Sequence, residues 1–153
     1  MLISLASSIS LEDINQNPIY PDYLKKVLKS TTTFQKRVET TLITSLRAKN
    51  NFAEWIAALL VLDPIAKINN EKAILLAEIF QQDTTFLTRI SSIDFSLYPE
   101  DLLYYEKVAN TPADRPIISI CVHLRFSNAI IQFARIAATG LSNSAFEIIH
   151  SSD

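Results

Sequence analysis

The chain has 153 residues, 48% of them hydrophobic and 20% charged, with a formal charge of −2. It is too apolar to be disordered, long enough for one domain with a real core, and too weakly charged to be drawn to nucleic acid or membrane by a global field. Its single glycine, Gly140, stands where an average chain would hold roughly ten, so the P-loop, the dinucleotide fingerprint and the G-x-S-x-G nucleophile elbow are absent and glycine-built hairpins are disfavoured.

Residues 1–20 read as a loosely ordered N-terminal arm. Ser10 can cap a short helix through Glu12 and Asp13 before Pro18 and Pro21 break the chain. No Lys or Arg precedes the first apolar run, so a secretory signal is not expected. From Pro21 to about Lys49 an amphipathic pattern places Leu24, Val27, Leu28, Phe34, Val38, Leu42 and Leu46 on one stripe of a long helix, about 22–49. The Ser30–Thr33 run is poor helix former within it.

Trp55 to Leu62 are eight consecutive apolar residues, which predicts a helix with no solvated face. Asn70 and Asp83 are read as caps of two further short helices carrying Ile74, Ile79 and Phe80, then Phe86, Leu87 and Ile90. Pro99-Glu100-Asp101 opens a predicted LLYYEKV helix with acids in its first turn. Arg115-Pro116 starts a second long helix, about 115–139, with Gly140 as its left-handed C-cap and Leu141 as the accompanying apolar contact. A last helix covers LSNSAFEIIH. The β-branched run at 117–122 resembles a strand, but it continues into SNAIIQFARIAA without glycine and is therefore read as helix. The expected fold is all-α: one domain, 1–153, forming a single compact bundle of about six to eight helices.

Catalytic residues are sought among two histidines, one cysteine and the acids. Glu147 and His150 have E-x-x-H spacing, but His123 lacks the matching acid, so no di-metal set forms. Cys121 and His123 point about 200° apart on a helix and make no dyad. Asp94, Glu100, Asp101 and Glu106 cluster, yet capping explains Glu100 and Asp101. No catalytic residue, metal ligand or cofactor is expected. Cys121 alone forms no intrachain disulfide, and no 18-residue apolar stretch spans a membrane, so a cytoplasmic protein is expected.

Two charged faces remain. Residues 21–50 carry seven Lys and Arg against two acids, whereas residues 51–153 carry seven against twelve. Lys25, Lys26, Lys29, Lys36, Arg37 and Arg47 form the first candidate partner- or anion-binding face. Arg125, Asn128, Gln132 and Arg135, spaced three, four and three apart, form the second. The resulting expectation is a non-catalytic interaction module, a helical adaptor, regulator or assembly subunit acting through helix-face docking, with a protein partner or self-association. The alternative is a nucleic-acid-binding regulator using the basic face of residues 25–47, without a recognisable motif for it. An enzyme ranks third.

Overall fold

The computed structural model describes residues 1–69, 72–82, 84–112, 114–142 and 144–151. In chain order come β1 (Leu2–Ala6), α1 (Leu11–Gln16), α2 (Asp22–Thr31), α3 (Phe34–Glu39), α4 (Leu42–Arg47), a 3-10 turn (Lys49–Asn51), α5 (Ala53–Leu60), β2 (Ile65–Ile68), β3 (Lys72–Leu75) and α6 (Leu76–Gln82). A second 3-10 segment (Thr84–Arg89) leads to β4 (Ile90–Ser96), β5 (Asp101–Val108), β6 (Ile118–Ser127), β7 (Ile130–Thr139) and β8 (Glu147–Ser151). The all-α expectation is therefore wrong. The protein is mixed α/β, with two antiparallel four-stranded sheets ordered β1-β4-β2-β3 and β5-β6-β7-β8.

The first long helix is three short ones. The Ser and Thr run supplies ends instead of a continuous turn: Thr33 caps α3 by accepting from Lys36 N, and Thr41 and Thr44 form a capping box on α4. Breaking the register turns Phe34 and Val38 outward, 64% and 51% exposed, while Leu24, Val27, Leu28, Leu42 and Leu46 remain buried. The N-terminal twenty residues contain β1, paired with β4, and α1, capped by Ser10. The Asn70 and Asp83 caps lie outside the described residues.

The second long helix is the β6–β7 hairpin, and the LLYYEKV and EIIH segments are strands β5 and β8. Even positions 118–126 are apolar and odd positions include Ser119, His123 and Arg125, a period of two that suits a strand with two different faces. Asn128 and Ala129 make the hairpin turn, both with positive φ of 50° and 64°. Such a turn usually uses Asn-Gly; here it is built without glycine. Gly140 is not a helix cap. It ends β7 at φ +80°, and a Cβ there would lie 1.9 Å from the Ile117 carbonyl oxygen. Helix α5 is the one long apolar helix that forms as expected, buried along all eight residues against α2 and the inner face of the second sheet.

Candidate functional site

Helix α5 ends where the two sheets meet, and its terminal carbonyls face inward. A helix end leaves such carbonyls without intrahelical partners. His123 on β6 and Arg135 on β7, direct cross-strand neighbours, serve them. His123 Nδ1 lies 2.9 Å from the Val61 oxygen, and Arg135 Nη1 lies 3.5 Å from the Leu60 oxygen while also pairing with Asp63. Asp63 itself turns the chain at φ 54° after the helix.

Asp101 on β5 joins this network. Its carboxylate accepts from Arg125 Nε at 2.6 Å, Arg125 Nη2 at 3.2 Å and the Tyr98 N–H at 2.9 Å. His123 Nε2 stands 3.2 Å from Asp101 Oδ2 but outside hydrogen-bond alignment. Burial pushes the Asp101 carboxyl up, yet Arg125, the Tyr98 N–H and His123 outweigh it and hold it below its ordinary value. The Arg125 guanidinium is raised in turn, chiefly by its hydrogen bonds to Asp101. It lies 4.0 Å from the centre of the Tyr98 ring and 5.6 Å from that of Phe133. The Phe133 ring also meets His123 edge-on at 5.0 Å.

Of these groups, Tyr98, His123, Arg125, Phe133 and Asp63 line one wall of a cleft of about 410 Å³ between the sheets. The first sheet supplies the other wall through Leu2, Ile65, Lys67, Ala73, Asp94 and Phe95. Lys67 Nζ lies 2.6 Å from Asp94 Oδ2, and Asp94 also accepts from Ser4 Oγ at 2.6 Å. Burial raises the Asp94 carboxyl, but the hydrogen bonds from Lys67 and Ser4 bring it below normal. Three cations pair with three carboxylates here, Lys67 with Asp94, Arg125 with Asp101 and Arg135 with Asp63, and of these Lys67, Arg125, Asp63 and Asp94 line the cleft, two of each sign. A cleft balanced in this way favours an uncharged ligand over an anion, and its remaining lining is largely apolar.

A larger hollow of about 550 Å³ lies beside Lys49, Asn50, Phe80, Gln81 and Phe146, but no ion pair among the described residues converges there. Cys121 offers no reactive thiol at either place. It is fully buried, and burial pushes the thiol up to about 12.

The structure disperses the basic face. Lys25 pairs with Asp22 at 3.2 Å, and Lys26 donates to the Tyr105 oxygen at 2.9 Å over the Tyr104 ring. Lys36 lies 4.5 Å from the centre of the Phe52 ring. Arg37 is buried, its Nε 2.6 Å from Glu12 Oε2 and its Nη1 donating to the Thr32 oxygen, so it holds α1 to α3. Lys29 and Arg47 are solvent-exposed. Of the second face, Arg125 and Arg135 come together beside Phe133, while Asn128 sits in the hairpin turn and Gln132 is exposed on β7. Sequence reasoning missed Asp101, His123, Tyr98, Phe133 and the Lys67–Asp94 pair as neighbours. Strand alternation, which puts His123 and Arg125 on one face, was the available signal.

No protein-family model matches the chain, and no curated protein sequence matches it. Its fold is shared with solved oxidoreductases. A carbon monoxide dehydrogenase from Hydrogenophaga pseudoflava that lacks the Mo-pyranopterin moiety of the molybdenum cofactor superposes at a TM-score of 0.70. That match has 15% identity and covers 97% of this chain and 55% of the other. Quinoline 2-oxidoreductase from Pseudomonas putida 86 superposes at 0.71, with 14% identity over 92% of this chain and 52% of the other. Reconstituted carbon monoxide dehydrogenase from Oligotropha carboxidovorans superposes at 0.64, with 17% identity and the same coverage. The chain spans about half the length of these solved chains.

This shared fold overturns the expectation of a non-catalytic helical adaptor, and with it the alternative of a nucleic-acid regulator acting through one basic helix. The continuous helix faces on which both readings relied do not exist. Among the described residues, no helix is long and apolar enough to cross a membrane.

Proposed function

We propose that this chain is a component of an oxidoreductase, that it works with a protein partner, and that the cleft between its sheets is its ligand site. The observation that carries the reading is the extent of the fold match, 92–97% of the chain on oxidoreductase chains. Three features of the cleft set its ligand class. Its charges are internally balanced, its lining is apolar, and Tyr98 and Phe133 flank the Arg125 guanidinium. A planar heteroaromatic ring suits that combination, stacking on the aromatic faces with its polar edge toward Lys67 or Arg125.

Molybdenum figures in the descriptions of two structural neighbours. Among the described residues of this chain, no three His, Cys, Asp or Glu side chains converge to hold a metal ion. The donor set therefore does not fit a metal held by side chains alone. Asp94 in the cleft and Asp101 behind Arg125 do other work: both stay ionised and fix their cations.

The test is to recover the tagged chain from its own cells without oxygen, then measure redox-metal content and reduction of an artificial electron-acceptor dye. An assembly larger than the chain that holds a stoichiometric redox centre and reduces the dye is the expected result. A lone chain with no redox centre and no dye reduction overturns the reading.

A further inference from the structure

We propose that the outer face of the second sheet docks a partner polypeptide whose contact layer is helical and apolar, with lysines or arginines along its margins. Strand alternation turns the inner face, with Tyr105, Cys121 and His123, toward α5. The opposite face gathers Leu102, Tyr104, Val108, Ile120 and Ile149, which are 43–62% exposed. Register makes the patch continuous, since Tyr104, Val122, Ile136 and Ile149 form one row across all four strands. A folded protein rarely leaves so contiguous an apolar area to water unless something covers it.

The occupant follows from width and charge. Four strands at about 4.8 Å spacing give a floor roughly wide enough for two helices about 10 Å apart. The charged residues within the patch are both acids: Glu106 on β5 and Glu147 on β8 end one transverse row, with Ile120 and Ala138 between them. At the β5 margin of the patch Lys26 lies over the Tyr104 ring, 5.4 Å from its centre, with its ammonium engaged by the Tyr105 oxygen. A second copy packed face to face about a two-fold axis would set acidic margins against acidic margins, so the charge pattern favours a partner of opposite sign. The solved chains of this fold also carry nearly as much polypeptide again beyond the part matched here.

Two synthetic amphipathic helical peptides test this, identical in their leucine face and flanked by either lysine or glutamate. Fluorescence anisotropy should show the lysine peptide binding at least about tenfold tighter. Glu106→Lys with Glu147→Lys should reverse that preference, and both sites are exposed enough to leave the fold intact. Val122→Asp should abolish binding of both peptides while circular dichroism stays unchanged. Equal binding of the two peptides, no binding by the unsubstituted chain, or an unmoved preference in the double variant overturns the proposal. So does a dimer in sedimentation that Val122→Asp dissolves, which would put a second copy on the face.

Discussion

Helix α5 buries every one of its eight residues, whereas β6 and β7 bury one face and leave the other partly open. Both segments are rich in apolar side chains and were equally easy to read as helix. The difference lies in residue shape and period. Helix α5 is Ala- and Leu-rich, good helix formers that pack on all sides, with Trp55 donating to Ser45 Oγ at 3.1 Å. Strand β6 alternates Ile, Val and Leu with Ser, Cys, His and Arg, which suits a sheet with one face on the core and network and the other outward. One segment fills the centre, and the other carries the polar groups that cap it.

The strongest way to break this comparison is Trp55→Ala, which should cost about 4 kcal/mol in urea unfolding, through the cavity and the partner lost by Ser45. A cost below about 1 kcal/mol would mean that α5 is not the centre of the core. At the far end of the hairpin, Gly140→Ala should cost about 3 kcal/mol, because its Cβ collides with the Ile117 carbonyl at a positive φ. A tolerated alanine would place the end of β7 elsewhere.

Acid should weaken the helical half through one buried carboxylate. Hydrogen bonds from Gln16, Arg37 and Asn15 overcome burial and lower Glu12 from 4.5 to about 2. Because the folded value is depressed, the stabilisation is complete above 4.5 and disappears as pH falls toward 2. Thermal melts across that window should fall more steeply for the native chain than for Glu12→Gln; parallel curves would remove Glu12 from the account. Ala129→Gly, by relieving a left-handed alanine in the hairpin turn, should stabilise by about 0.5–1 kcal/mol. Ile120→Thr on the outer face of β6 should move stability by only about 0.5 kcal/mol, since that side chain is already 43% exposed.

Much of the core was legible. Leu24, Val27 and Leu28 on α2 and the whole of α5 are buried, because helical period and unbroken apolarity speak directly to burial. Scarcity of glycine, taken as evidence against hairpins, misled because asparagine and even alanine can take the left-handed turn when the strands fix it. The site was less legible. Arg125 and Arg135 were singled out as a pair and do converge, but on a sheet face and not a helix stripe. Asp101 looked like a helix cap until β5 placed it opposite Arg125.

By itself the sequence determined which stretches must leave water and one place where the chain caps a helix: Trp55–Leu62 goes inside, and Ser10 starts α1. Only the tertiary structure decided that 118–139 would pair as strands and that Lys67, Asp94, His123 and Arg125 would share one cleft. Local propensity is nearly neutral for a β-branched run with no glycine. The decision passes to long-range pairing with β5 and β8 and to the orphaned carbonyls at the end of α5, which no local pattern records.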